Sequence, residues 1–357
     1  MRLRYLGLTA LAALVPLLHE PKANSLPVIE TPRLSQSVGH SKILKADATP
    51  VLISQASDDY AALIQQAEAL MQQNNPAAAL PVYERAIQLD DSPAEGWVGK
   101  ADALYQLGRY PEAIAAYETA IDRDDQNLFA WAELGNVLDD SGNPEAALEA
   151  YAQAIAIDPE HPYPYYHRGI AFNGMDRYVE AVEDFRQVVN LAPDYARAWM
   201  RLGQSLGPMG NYEEALEAFN QAIDLDTDLV NAWYGRAVAL EYLERYNEAL
   251  ESYVNVTTLN PESEGGWFYQ GNMLALLDRY SEAYDAYQQA IALDPEWEEA
   301  WFNQGLVLVY LERYEDAIAA FDRVLDLNPN NTRASEIRAE LEQYVDQQEE
   351  SFEQVVA

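Results

Sequence analysis

Apolar side chains recur along this chain at helical spacing, and the pattern repeats every 34 residues from Tyr60 to Asn331. When each block is numbered 1 to 34, positions 4, 8 and 11 share one face of a helix, and positions 20, 24 and 27 share one face of a second helix. The pattern therefore predicts eight helical hairpins without an insertion. They span 60–93, 94–127, 128–161, 162–195, 196–229, 230–263, 264–297 and 298–331.

Side-chain size is restricted at several positions of every block. Position 20 is always alanine, and position 8 is always glycine or alanine. Position 24 is always aromatic: Tyr83, Tyr117, Tyr151, Phe185, Phe219, Tyr253, Tyr287 and Phe321. Small residues let two helices approach closely, and we expect the aromatic ring, with a large residue such as Trp97 at position 4, to fill the space beside them. Glycines such as Gly108 are expected in the turn between the helices, and proline at position 32 is expected to end the second helix.

The pattern Trp-x-x-Leu-Gly, followed by Ala-x-x-x-Phe and then Pro, resembles the tetratricopeptide-repeat (TPR) family of the bacterial type, whose period is also 34 residues. The resemblance implies an all-α fold. It would be a TPR α-solenoid, a right-handed superhelix of helical hairpins, with a capping helix at its C-terminal end. Ala334, Ile337, Leu341 and Val345 form an apolar stripe that predicts this capping helix at 332–346, before an acidic, frayed tail at 347–357.

The N-terminal residues have the pattern of an export signal. Arg2 and Arg4 precede an apolar run from Tyr5 to Leu18, which as a helix would span about 21 Å, short of the roughly 30 Å of a membrane core. We therefore expect a signal peptide or anchor at 1–23 and a disordered linker at 24–59. The expected location is exported (periplasm, thylakoid lumen or extracellular) or membrane-associated, and cytoplasmic if the segment is not a signal.

Composition narrows the expected function. The formal net charge is −37 and there is no cysteine, which disfavours nucleic-acid binding and excludes thiolate metal sites and a cysteine nucleophile. No catalytic, phosphate-binding or metal-binding motif occurs in the sequence. We therefore expect no enzymatic activity, no cofactor and no small-molecule substrate, and instead a protein or peptide partner.

The resemblance implies that positions 2, 5, 6, 9, 12 and 13 line a concave groove that binds extended peptides or partner helices. Position 5 of the last five blocks predicts an apolar, largely aromatic stripe there: Tyr166, Met200, Tyr234, Phe268 and Phe302. The alternative is that these side chains pack on neighbouring helices. The leading hypothesis is a non-enzymatic scaffold, of which an assembly factor is one form.

A second hypothesis is an adaptor for a partner's acidic C-terminal tail. Chaperone adaptors of the resembled family hold C-terminal carboxylates with lysine, asparagine and arginine at fixed groove positions. The corresponding residues here are Ala132, Asn136, His167, Arg197 and Arg201. Ala132 occupies the position of the first lysine, so that cation of the arrangement is missing here. The two arginines could instead pair with Glu133 or Glu241 of adjacent repeats.

Overall fold

The computed structural model describes residues 59–356, with side chains to residue 350. This part of the chain contains no β-strand and is built from seventeen α-helices. They are α1 Tyr60–Gln72, α2 Pro76–Leu89, α3 Ala94–Gln106, α4 Tyr110–Arg123, α5 Leu128–Asp140, α6 Pro144–Ile157, α7 Pro162–Gly174, α8 Tyr178–Leu191, α9 Ala196–Leu206, α10 Tyr212–Leu225, α11 Val230–Tyr242, α12 Tyr246–Leu259, α13 Glu264–Leu276, α14 Tyr280–Leu293, α15 Glu298–Tyr310, α16 Tyr314–Leu327 and α17 Thr332–Val356. A short 3₁₀ turn, Gly207–Met209, follows α9.

The described residues form two compact units, divided along the chain between Ser205 and Leu206. The N-terminal unit contains α1 to α9 up to Ser205, and the C-terminal unit contains α10 to α17. From α1 to α8, and again from α10 to α17, every helix packs on the next one along the chain. Odd-numbered helices up to α15 are the first helices of the repeats, and even-numbered helices are the second. The all-α class and the tandem helical pairs predicted from the sequence are confirmed.

The aromatic residue at position 24 is buried in every repeat, with at most 3% of its surface exposed, as the sequence predicts. Tyr117, Phe185 and Tyr287 have no exposed surface. A Cβ atom added to Gly135 would lie 2.5 Å from the Tyr151 ring of the same repeat. Such a distance is too short for any side chain, so glycine is required wherever the ring approaches this closely.

Tryptophan at position 4 packs against the core as expected, as Trp97 and Trp267 do, and it has a second role. These side chains are half-buried, and each indole N–H donates to the backbone carbonyl six residues earlier, at position 32 of the preceding repeat. The pairs are Trp97–Asp91, Trp131–Asp125, Trp199–Pro193, Trp233–Thr227, Trp267–Pro261 and Trp301–Pro295, at 2.9–3.0 Å. Tryptophan therefore fixes the loop that joins one repeat to the next.

The turn inside every hairpin contains one residue in the left-handed conformation, at position 15. Three are glycines, as predicted, and five are not: Gly108, Gly142 and Gly210, then Asn74, Asp176, Glu244, Asp278 and Glu312, with φ from 56° to 84°. An arginine follows this residue in several repeats and pairs with an acidic residue three positions later, as Arg245 does with Glu248 at 2.6 Å. The turn therefore has the same conformation in every hairpin, although the residue at position 15 differs.

The C-terminal helix is present but longer than predicted. Ala334 and Leu341 of α17 are buried beside Phe321 and Val324, so the helix covers the last repeat. It continues to Val356, and the predicted end at 346 is wrong.

The predicted export segment at 1–23 lies outside the described residues, as does the linker up to residue 58. Within residues 59–356, no helix has both the length and the apolar character needed to cross a membrane.

Replacing Gly135 by alanine should destabilise the N-terminal unit by about 1–3 kcal/mol, because the new methyl group would overlap the buried Tyr151 ring. Gly174 is the matched control, since it ends a helix and a Cβ there meets nothing within 4 Å. Gly174→Ala should be neutral or slightly stabilising. Thermal unfolding of both variants checks the prediction, and equal melting temperatures would contradict it.

Candidate functional site

The first helices of the N-terminal unit form a shared surface. Helix α1 contacts α3, and α5 contacts α7, so positions 2, 5, 6, 9, 12 and 13 of successive repeats follow one another across it. We call this surface the first-helix face. It carries the predicted site residues Asn136, Tyr166, His167, Arg197, Met200 and Arg201, whereas Tyr234, Phe268 and Phe302 belong to the C-terminal unit.

Two arginines at the α9 end of the first-helix face have no carboxylate partner. Arg197 is exposed and Arg201 is half-buried, and neither lies within 4.0 Å of a carboxylate of its own unit. The Nη1 atom of Arg201 donates to Oε1 of Gln204 at 3.2 Å, and its Nε atom is buried with no hydrogen-bond partner. Other described arginines do form ion pairs: Arg109, Arg123, Arg168, Arg177, Arg245, Arg279, Arg313 and Arg338.

Aromatic side chains lie near these arginines, and Tyr195 is close enough to feel their charge. The Tyr195 ring lies 5.1 Å from that of Tyr166, and the Tyr166 ring lies 5.4 Å from His167. Burial and the neighbouring Tyr166 raise the pKa of Tyr195, while the positive charges of Arg197 and Arg201 act in the opposite direction. The structure therefore brings together four of the predicted residues, Tyr166, His167, Arg197 and Arg201, with Tyr195. We call these five residues the arginine cluster.

Asn136 does not belong to the arginine cluster. Its side chain accepts a hydrogen bond from Tyr151 at 2.8 Å and donates to Glu133 at 3.0 Å and to Tyr163 at 3.1 Å. Glu133 also accepts from the Tyr163 hydroxyl. The expected ion pair between an arginine and Glu133 is therefore absent, since that carboxylate is held by an amide and a hydroxyl.

A pairing between positions 9 and 24 explains this network. The hydroxyl of a position-24 tyrosine donates to the position-9 side chain of its own repeat, in Tyr117–Asp102, Tyr151–Asn136 and Tyr287–Asn272. Where position 24 is phenylalanine, position 9 is Ile170, Gln204 or Leu306, so the pairing is not strict. Tyr253 has Val238 at position 9 and donates instead to Glu241 at position 12. A polar residue at position 9 together with tyrosine at position 24 is nevertheless visible in the sequence of repeat 3, and it indicates the contact between Asn136 and Tyr151.

Carboxylates occupy the α1 to α5 part of the first-helix face. Burial, and then the charge of Glu133, raise the pKa of Asp102 to about 7. Burial also raises the pKa of Glu133, and burial with the charge of Glu95 raises that of Glu68. We call Glu68, Glu95, Asp102 and Glu133 the acidic segment. None of the four has a lysine or arginine within 4.0 Å among the described residues.

The predicted aromatic stripe is largely packed inside the fold. Met200, Tyr234 and Phe268 are only 6–8% exposed, and the Phe268 ring lies 4.4 Å from that of Trp297. Exposure of the stripe was therefore wrongly predicted at these three positions, where the alternative of packing on neighbouring helices is correct. Tyr166 and Phe302 remain half-buried, and contact with a peptide at those two positions stays a prediction.

Comparison with known protein families identifies the repeats. Models described as tetratricopeptide repeat match residues 64–127, 163–195, 230–263, 265–297 and 298–331, and one described as TPR repeat matches 135–176 and 208–243. This chain belongs to the tetratricopeptide-repeat family. TPR proteins are typically non-catalytic scaffolds for protein–protein interaction, and membership supports that general role.

Solved structures with a similar fold are also TPR proteins or related chains. One, from work on the functional characterisation of Pseudomonas aeruginosa pilF, is 18% identical with a TM-score of 0.53, covering 59% of this chain and 96% of its own. A tetratricopeptide repeat protein from Parabacteroides merdae is 15% identical with a TM-score of 0.50, covering 70% and 98%. These similarities show the fold alone. Comparison with curated proteins finds no match.

No three His, Cys, Asp or Glu side chains within residues 59–350 are arranged to hold a metal ion.

Replacing Asp102 by asparagine should stabilise the protein at pH 8 but have little effect near pH 4. The native pKa of Asp102 is raised above its ordinary 3.8, so its protonated form favours folding at low pH and that contribution is lost as the pH rises towards 7. Asparagine can accept the same hydrogen bond from Tyr117 without a charge. We expect a gain of about 1–2 kcal/mol at pH 8, less than the full shift implies because the side chain is only half-buried.

The matched control is Asn136→Asp, which introduces a carboxylate at the same position of the next repeat and should destabilise at pH 8. Unfolding curves at pH 4 and pH 8 measure both effects. An Asp102→Asn shift of equal size at the two pH values would contradict the account.

Proposed function

We propose that this TPR protein is a non-enzymatic scaffold that binds an extended segment of a partner protein on the first-helix face of its N-terminal unit. A carboxylate of that segment docks at Arg197 and Arg201. The observation that carries the proposal is a pair of arginines without a carboxylate partner in a chain whose net charge is −37.

An acidic protein has many carboxylates with which to neutralise its arginines, and eight of the described arginines form ion pairs. Arg197 and Arg201 lie four residues apart on one helix, where like charges cost about 0.2–0.5 kcal/mol. The buried Nε atom of Arg201 without an acceptor adds roughly 1–3 kcal/mol. A bound carboxylate would relieve the like-charge repulsion, because a guanidinium group donates two parallel hydrogen bonds to it. It would reach the buried Nε atom only after the Arg201 side chain turns.

The aromatic members of the arginine cluster support an extended ligand. Tyr166 and His167 are half-buried, so each presents part of a ring beside the arginines. Rings of this kind offer apolar contact to the side chains that flank a bound carboxylate, while the arginines define where it lies.

The narrower hypothesis, an adaptor for a partner's C-terminal tail, rests on the same arginines but on fewer matching residues. Ala132 is buried and Asn136 is engaged by Tyr151 and Glu133. The observations therefore favour a site for one carboxylate, which an internal acidic residue or a chain terminus could supply.

Export remains part of the proposal and is supported by the sequence alone, through Arg2, Arg4 and the apolar run from Tyr5 to Leu18. Fractionation of the native host with N-terminal sequencing of the mature chain tests it. A start at Met1 in the soluble cytoplasmic fraction would contradict it.

Arg197→Ala should weaken binding of an acid-ended peptide by about tenfold or more, since a hydrogen bond to a charged group contributes about 1.5–3 kcal/mol. Arg201→Ala should do the same, whereas Arg201→Lys should weaken binding less because it keeps the charge. Fluorescence anisotropy with a labelled peptide and its C-terminally amidated twin measures the effect, and also separates a terminal from an internal carboxylate.

Arg123→Ala is the control, because Arg123 is an exposed arginine of the second helix α4 that pairs with Asp91. It should leave peptide affinity unchanged. If the wild type, Arg197→Ala and Arg201→Ala bound the acid-ended peptide with equal affinity, the proposed site would be wrong.

A further inference from the structure

We infer that the partner segment is charge-segregated: a basic stretch lies over the acidic segment of repeats 1 to 3, and an acidic stretch lies at the arginine cluster of repeats 4 and 5. The inference rests on the proposed function and adds the chemistry of the partner. It follows from an uneven distribution of charge along a single face of the N-terminal unit.

The two parts of the first-helix face carry opposite charge. At the six groove positions of the first three repeats there is no lysine or arginine, and the carboxylates are Glu68, Glu95, Asp102, Glu133, Asp139 and Asp140. At the same positions from repeat 4 to Ser205 there is no carboxylate, and the charged residues are Arg197 and Arg201. The face is therefore acidic at its α1 end and basic at its α9 end.

The carboxylates of the acidic segment lie close enough to affect one another. Burial raises the pKa of Tyr83, and the negative charges of Asp102, Glu68 and Glu95 raise it further. The same ring is therefore near three carboxylates from two first helices. Nearby cations face other partners, since Lys100 pairs with Glu84 at 3.5 Å. Hydrogen bonds hold Asp102 and Glu133, but no lysine or arginine among the described residues forms an ion pair with the acidic segment.

Uncharged side chains connect the two ends. Glu133 accepts from Tyr163, the Tyr163 ring lies 4.3 Å from His167, and the contacts continue through Tyr166 to Tyr195. Hydrogen bonds and ring contacts thus run without interruption from the acidic segment to the arginine cluster. A ligand following this path meets negative charge, then aromatic surface, then positive charge.

This order of charges selects among ligands. A uniformly charged segment is attracted to one end of the face and repelled by the other. A segment of alternating charge has no net attraction to either end. Neighbouring first helices lie roughly 10 Å apart, so α3 and α9 are separated by about 30 Å. An extended chain covers that distance with about nine residues, which sets the spacing between the basic and the acidic stretch.

Three peptides of equal length test the inference by fluorescence anisotropy at low and high salt. The block peptide has a run of lysines, about nine neutral residues and a run of glutamates. The alternating peptide has the same composition with the two charges interleaved. The half peptide keeps the glutamates and replaces the lysines by glutamine.

The block peptide should bind about tenfold more tightly than the half peptide and more tightly still than the alternating peptide, with a difference that shrinks at high salt. The double variant Glu68→Gln/Asp102→Asn should remove the advantage of the block peptide over the half peptide. The control Glu118→Gln/Glu149→Gln neutralises two exposed carboxylates on second helices and should keep most of that advantage.

Equal binding of the block and alternating peptides would overturn the inference, as would equal affinities of the two double variants for the block peptide. Either result leaves the proposed function standing if the half peptide still binds and loses affinity in Arg197→Ala. Failure of the half peptide to bind would instead remove the proposed function, and with it the inference.

Discussion

The contact between a glycine or alanine at position 8 and the aromatic ring at position 24 determines how closely the two helices of each repeat approach. Gly135 and Tyr151 show how little room remains, since an added methyl group would lie 2.5 Å from the ring. Because close packing tolerates little change in volume, this contact gives every hairpin nearly the same geometry. Repetition of that geometry places the first helices of the N-terminal unit side by side, which creates the face on which charges can be arranged.

The same core contact also affects the chemistry of that face. The hydroxyl of a position-24 tyrosine needs a partner when it is buried, and it finds one on the first helix of its own repeat. In three repeats the partner is at position 9, as Asp102, Asn136 and Asn272, and for Tyr253 it is Glu241 at position 12. A buried tyrosine at position 24 is therefore accompanied by a polar side chain on the first-helix face. Burial raises the pKa of one of these side chains, Asp102.

The sequence predicts the fold almost completely, because the 34-residue period and the size restrictions at positions 8, 20 and 24 are strong local signals. It predicts the site less well. Whether a position-5 side chain such as Phe268 is exposed depends on packing by the next repeat, here Trp297. The tryptophan hydrogen bonds end on backbone carbonyls, which leave no trace in residue identity. The acidic composition beyond residue 346 predicts a frayed tail, but its Glu and Gln residues are also good helix formers, so α17 continues to Val356.

The central claim is that Arg197 and Arg201 receive a partner's carboxylate, and the side-chain Nε–H signals of arginine in ¹⁵N-correlated NMR report on it most directly. The account predicts that an acid-ended peptide shifts the Arg197 and Arg201 signals in a saturable way, because the carboxylate binds beside both guanidinium groups. The signals of Arg109 and Arg177, held in ion pairs, should not move. Saturable binding that leaves the Arg197 and Arg201 signals unchanged would contradict the account.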